Sequence, residues 1–276
     1  MRVTRVRLPA TGTIARADGE RDVQGYRPDS YGDGFADVYD DWYGDLPGLH
    51  DTVRTVHRLA AGGPILELGC GTGRLAVPLA HLGAEVHGLD ASAAMLDRLR
   101  AKPGGDRVTV HAGDMAEVEV GAAGPFTVVF IAFNTLFNLP SEDLQRRCFD
   151  RVARHLAPGG CFVVECFVPG DPPETVRDAV EVHTLDAARV VLRISRQDPD
   201  ASTLSGQHVE FTEAGGVRLR PWHLRYGTPE DLDRFAAAAG MHLEERWADW
   251  TGRPFDDEST AHVSMYRAGP APRPAE

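Results

Sequence analysis

Ile65-Leu66-Glu67-Leu68-Gly69-Cys70-Gly71-Thr72-Gly73 decides how the rest of the chain is read. Four strand residues, one of them acidic, run into glycines at alternate positions. Glycine lacks the Cβ that would bar positive φ and hold a ligand away from bare backbone. A buried strand entering such a turn points to an adenosine cofactor. The following Arg74-Leu75-Ala76-Val77-Pro78-Leu79-Ala80 reads as a helix with its N-terminus toward that ligand, kinked by Pro78. A dinucleotide fingerprint spaces its glycines G-x-G-x-x-G and holds its acid for the end of the second strand. Here the spacing is G-x-G-x-G, and an acid, Glu67, already precedes the turn.

Moving outward from the turn, Glu85-Val86-His87-Gly88-Leu89-Asp90 is a second strand closing on an acid, and Arg107-Val108-Thr109-Val110-His111 leads to Gly113-Asp114-Met115. Phe126 to Asn134 forms a fourth element, and Leu156 to Glu165 reads as helix, turn and strand. In this order the features resemble the class I S-adenosylmethionine (SAM) methyltransferases. The resemblance implies an α/β, Rossmann-like fold with a seven-stranded sheet and helices on both faces, SAM as cofactor and S-adenosylhomocysteine as product. It also implies site roles. Glu67, Gly69 and Gly71 would form the loop near the methionyl end. Asp90, with Ala91 beside it, would take the ribose hydroxyls. Asp114 would meet the adenine amino group and Met115 the ring, while Ala132 and Asn134 would end beside the sulfonium.

A chain of 276 residues can bury a large core as one domain with an insertion, and 42% hydrophobic residues suit a soluble globule. A formal charge of −12 argues against nucleic acid and for a small-molecule acceptor. No stretch approaches the ~18 apolar residues of a membrane span, and no signal peptide is evident; a cytoplasmic, bacterial enzyme is expected. The four cysteines show no paired spacing, so no metal is expected. Lys102 is the only lysine against many arginines, a bias that reads as GC-rich coding rather than function.

The chain divides into a mobile extension at 1–30, a helical lid at 31–60, a SAM-binding core at 61–169, an antiparallel β insertion at 170–227, the end of the core at 228–267 and a tail at 268–276. Ser92, Ser141 and Thr228 can cap helices. Within the insertion, Val190–Ile194, Gln207–Phe211 and Val217–Arg220 look like strands joined by turns such as Gly215-Gly216. Lying beside the C-terminal strand ends, the insertion would help select the acceptor. Its exposed strands also suggest a homodimer.

Methyl transfer is an in-line displacement at an activated carbon, so alignment matters more than a catalytic triad. The segment from Tyr31 to Tyr43 resembles the N-terminal lid of small-molecule N-methyltransferases, particularly those that dimethylate nucleotide-linked amino sugars, although Gly44 to Gly48 departs from their basic continuation. The likeness favours nitrogen as acceptor, and gives Tyr43 an acceptor-side role and Tyr31 and Tyr39 cofactor contacts. Each tyrosine could equally pack the lid onto the core. Glu165 is either an acceptor-binding carboxylate or a solvated strand end. His223 and Arg225 face the pocket by strand alternation or sit at a sheet edge, and Asn134 either touches the cofactor or merely ends a strand. Rival readings are a SAM-binding enzyme of another reaction, such as a cyclisation, O- or C-methylation, and a noncatalytic binder.

Overall fold

The computed structural model describes residues 25–44, 46–171 and 173–269. Most of the expected extension at 1–30 and of the tail at 268–276 lies outside the described residues, as does Asp45 of the lid's continuation. Three helices come first: α1 (Ser30–Phe35), α2 (Tyr39–Tyr43) and α3 (Leu49–Ala60). Strand and helix then alternate through β1 (Ile65–Leu68), α4 (Ala76–His81), β2 (Val86–Asp90), α5 (Ala93–Ala101), β3 (Val108–Ala112), β4 (Phe126–Ile131), α6 (Glu142–His155) and β5 (Leu156–Phe167). Four strands follow without a helix: β6 (Arg177–Leu185), β7 (Arg189–Asp198), β8 (Thr203–Thr212) and β9 (Val217–Arg225). The chain closes on α7 (Pro229–Ala238), β10 (Met241–Trp247) and β11 (Ala261–Ala268).

The seven-stranded sheet has the order β10-β11-β5-β4-β1-β2-β3. Strands β1 to β5 run parallel, and β11 lies antiparallel between β5 and β10. The winding starts at β1, moves outward to β3 and then resumes on the other side at β4. A crevice therefore opens at the C-terminal ends of β1 and β4, the place where open α/β sheets bind ligands. Strands β6 to β9 form a separate antiparallel meander.

Burial on both faces explains the apolar central strands. Along β4, Val129 and Ile131 join Phe149 and Val152 of α6 and Leu232 and Phe235 of α7 in one core. Val128 and Phe130 point the other way, into a core with Val53 and Val56 of α3 and Leu96 and Leu99 of α5. The helices begin where their caps dictate: Ser92 accepts from Met95 N, Ser141 accepts from Leu144 N, and Thr228 forms a capping box with Asp231.

Two local expectations change. Helix α4 starts at Ala76, so Pro78 is its third residue, in the first turn, where N–H groups have no intrahelical partner to lose. It kinks nothing. Leu156 to Glu165 is a single strand rather than helix, turn and strand: Phe126 pairs with Leu156 and Val128 with Cys161, so Ala157 to Gly160 bulge outward, with Gly159 at φ 75.

Candidate functional site

The glycine turn leaves β1 at the crevice. Gly69 has φ 69, and a Cβ built there would stand 2.3 Å from Thr135 Cγ2, so both conformation and space demand glycine. Gly71 also has positive φ, but a Cβ there would meet nothing within 4 Å, since this side of the turn faces a cavity. Asp90, at the end of β2, holds the turn. Its Oδ2 accepts from Gly71 N at 2.8 Å and its Oδ1 from Ser92 N at 2.9 Å. Burial pushes the Asp90 carboxyl up while these amides oppose the shift.

The cavity encloses about 210 Å³. Of the residues expected to meet the cofactor, Tyr31, Tyr39, Gly69, Gly71, Asp90, Ala91, Asp114 and Met115 line it. Glu67, Ala132 and Asn134 do not, nor do the three expected on the acceptor side, Tyr43, Glu165 and His223. Glu67 is 5% exposed, and its Oε2 is buried without a hydrogen-bond partner. Burial pushes its carboxyl up to about 8, against the pull of Arg74 and the Ala76 amide. A buried acid with an open oxygen beside a glycine cradle suits a ligand that brings a positive group to this end of the turn.

At the end of β4 two consecutive non-glycine residues adopt positive φ, Phe133 at 55 and Asn134 at 63. Such pairs persist only when their surroundings hold them. Here the end of β5 does so. Glu165 Oε2 accepts from Phe133 N at 2.7 Å, Asn134 N donates to Glu165 O at 3.1 Å, and Asn134 Oδ1 accepts from Phe167 N at 2.6 Å. The Phe133 ring then lies 5.7 Å from that of Tyr43, with the Arg74 guanidinium 5.3 Å above it.

Helices α1 and α2 close over the crevice through three acids spaced four and three residues apart. Asp33 accepts from Ser92 Oγ at 2.7 Å, tying the lid to α5. Asp40 accepts from Thr72 Oγ1 at 2.6 Å and from Lys102 Nζ at 2.7 Å, tying it to the glycine turn. Asp37 accepts from Arg220 at 2.6 and 3.1 Å, tying it to the second sheet, where Glu210 also binds Arg220 at 2.9 Å. Arg220 is only 1% exposed, an unusual fate for an arginine and one that requires these partners. Burial pushes the Asp37 carboxyl up, yet Arg220 and Arg218 beside it carry it below the usual range.

Between the ties stand the lid tyrosines. The Tyr31 ring stacks on Phe35 at 4.5 Å and that of Tyr39 lies 5.0 Å from Tyr43. Burial pushes Tyr39 up to about 12 and raises Tyr31 and Tyr43 as well, so all three are neutral phenols near neutral pH. They hydrogen-bond and exclude water rather than take protons. His223 is buried behind the cavity wall, its ring 6.0 Å from Tyr26, which lines the cavity. Arg225 does not face the pocket: it binds Glu142 at 2.7 Å and Gln145 at 3.0 Å on α6.

Sequence reasoning missed the latches Asp33, Asp37, Asp40, Arg220 and Lys102, and the cavity residues Tyr26 and Thr135. The sole lysine, Lys102, bridges the lid and the glycine turn. The acidic spacing of the lid was the available signal, but it reads equally as a solvated face.

Residues 65–160 match the family described as "Methyltransferase domain". The solved CcbJ methyltransferase from Streptomyces caelestis is 44% identical, with TM-score 0.81 over 89% of this chain and 100% of its own. The dTDP-4-amino-2,3,4,6-tetradeoxy-D-glucose N,N-dimethyltransferase of Saccharopolyspora spinosa is 33% identical over 71% of this chain and 76% of its own. The cypemycin N-terminal methyltransferase of a Streptomyces species is 29% identical over 74% and 82%. With its glycine turn, its strand order and these relatives, the chain belongs to the class I SAM-dependent methyltransferases that act on small molecules.

Proposed function

We propose that this enzyme methylates an amine nitrogen of a small bacterial metabolite, in the cytoplasm, with its acceptor entering beneath the lid beside Tyr43. The observation that carries this reading is the pair of neutral tyrosines, Tyr39 against Tyr43 and Tyr43 against the Phe133 ring, at the mouth of the crevice between β1 and β4. The donor supplies a methyl group already activated by positive sulfur. A neutral amine then needs only to be held in line, desolvated and relieved of its surplus proton afterwards, so no strong base is required. Tyr43 orients the acceptor through its hydroxyl. His223, behind Tyr26, backs the same wall.

On the donor side, Asp90 and Ala91 hold the ribose, Asp114 and Met115 the adenine, and Glu67, Gly69 and Gly71 the methionyl end. Tyr31 and Tyr39 cover the donor, while Ala132 and Asn134 shape the floor under its sulfur. The relatives' names span an amino sugar and the N-terminus of cypemycin, and an amine is what those acceptors share. Cytoplasmic action is supported by four buried free thiols and by the absence, among the described residues, of a helix able to cross a membrane. The experiment is a screen of amines, phenols and thymidine diphosphate amino sugars for release of S-adenosylhomocysteine. Turnover of phenols alone would overturn nitrogen as the acceptor.

The same reading includes a homodimer. Cross-strand rows such as Val182-Leu192-Val209-Leu219 place aliphatic side chains on one face of the second sheet. There Leu185 is 74% and Val182 61% exposed, a patch of the kind that marks interfaces. Light scattering tests it, with V182E/L219E expected to give a monomer; a wild-type monomer would end this part of the reading.

A further inference from the structure

We propose that Glu165 is a positioning residue, whose carboxylate anchors the Phe133 amide and thereby sets both the floor of the donor site and the seat of the lid. Neither role expected from the sequence, a carboxylate on the acceptor or a solvated strand end, describes the bond it makes. Oε2 accepts from Phe133 N at 2.7 Å, and the backbone carbonyl of the same residue accepts from Asn134 N at 3.1 Å. One residue of β5 thus satisfies two successive amides of β4's exit. These are the amides of the two residues held at positive φ, a conformation that L residues rarely adopt.

The anchor reaches the ligand site in both directions. Toward the cofactor, the positive-φ pair delivers Thr135, whose methyl group fills the space left by the missing Cβ of Gly69 and which lines the cavity. Toward the lid, it turns the Phe133 ring under Tyr43 and beside Arg74. Releasing the Phe133 amide lets the pair relax to negative φ. Thr135 then leaves the glycine turn and Tyr43 loses the ring it rests on. What the anchor requires is an oxygen that accepts a hydrogen bond, and Gln at this position retains one.

The test compares wild type, Glu165→Gln and Glu165→Ala, with S-adenosylhomocysteine as the calorimetric probe and carbon and amide NMR shifts of Phe133 and Asn134 as the local readout. Glu165→Gln is expected to bind the probe within about twofold of wild type and to keep the left-handed carbon shifts. Glu165→Ala is expected to bind about tenfold or more weakly, as leaving the part-buried Phe133 amide unsatisfied allows, and to lose those shifts. Equal loss in both variants would overturn the proposal, since the charge rather than the acceptor oxygen would then matter. Wild-type affinity and shifts in Glu165→Ala would overturn it too. If Glu165→Ala does not fold, the wild-type Phe133 amide decides: slow hydrogen exchange supports the anchor and fast exchange removes it. The probe is the donor's product, so the result is independent of which acceptor the enzyme uses.

Discussion

The floor of the crevice and its lid are held by different chemistry. The floor is main chain: glycines at positive φ, amides on Asp90, and a strand exit held by the end of β5. The lid is side chain: Asp33 and Asp40 reach a serine and a lysine that cap the two ends of α5, and Asp37 reaches a buried arginine of β9. Backbone geometry tolerates almost no substitution, whereas a charged tie can be weakened in steps. The floor is therefore the stiff half of the crevice, and the lid is the half that single substitutions can adjust.

The sharpest way to break this contrast is at Gly69. Gly69→Val puts side-chain atoms into Thr135 at a residue with φ 69, so S-adenosylhomocysteine affinity should fall by roughly 100-fold or more in calorimetry. Near-normal binding would mean that the floor is more compliant than its geometry implies. Next comes the buried tie. Arg220→Ala leaves Glu210 and Asp37 without their shared cation and should cost about 3 kcal/mol of stability in denaturant unfolding. Arg220→Met, with no charge but similar bulk, should be no better, because both carboxylates remain.

A smaller effect is expected at the half-exposed tie. Lys102→Ala removes a bridge whose side chains are 28% and 36% exposed, and should destabilise by only about 0.5–1 kcal/mol. Its clearer signature is kinetic: release of S-adenosylhomocysteine, followed by stopped flow, should quicken severalfold while Gly69-dependent affinity changes little. The smallest signal is a fraction of a proton. Glu67 is held near 8 by burial, above its ordinary value of 4.5, so between those limits the folded chain binds more protons than the unfolded one. Its share of stability is present in full below pH 4.5 and is lost as pH rises through 8. Glu67→Gln should flatten that slope in thermal scans. If the donor's positive end meets Glu67, binding at pH 7 should release part of one proton, read from calorimetry in buffers of different ionisation enthalpy.

The contrast also explains what the sequence could and could not say. The floor was legible because its constraints are local: Glu67 to Gly73 is one strand and one turn, and Asp90 closes the next strand. Ser92, Ser141 and Thr228 likewise announced their helices within four residues. The lid's ties were not legible, because Asp37 and Arg220 are 183 residues apart and nothing near either one names the other. Strand β6 escaped notice for a related reason: Val180 and Val182 point to the exposed face, so the segment lacks the pattern of a strand that feeds a core. Alternation leaves Arg225 open between the pocket and a sheet edge because it gives the side of a strand and not the neighbour waiting there, which is α6.

A chain with one lysine carries one ε-amine. Because Lys102 lies on the bolt between lid and glycine turn, an amine-selective reagent used on the folded protein would find this single position besides the α-amino group. Acylation there cancels the charge that Asp40 receives. Labelling speed then reports how readily this partly exposed amine leaves Asp40, with no engineered probe, and the labelled product is an enzyme whose lid is held by its remaining ties to Thr72, Ser92 and Arg220.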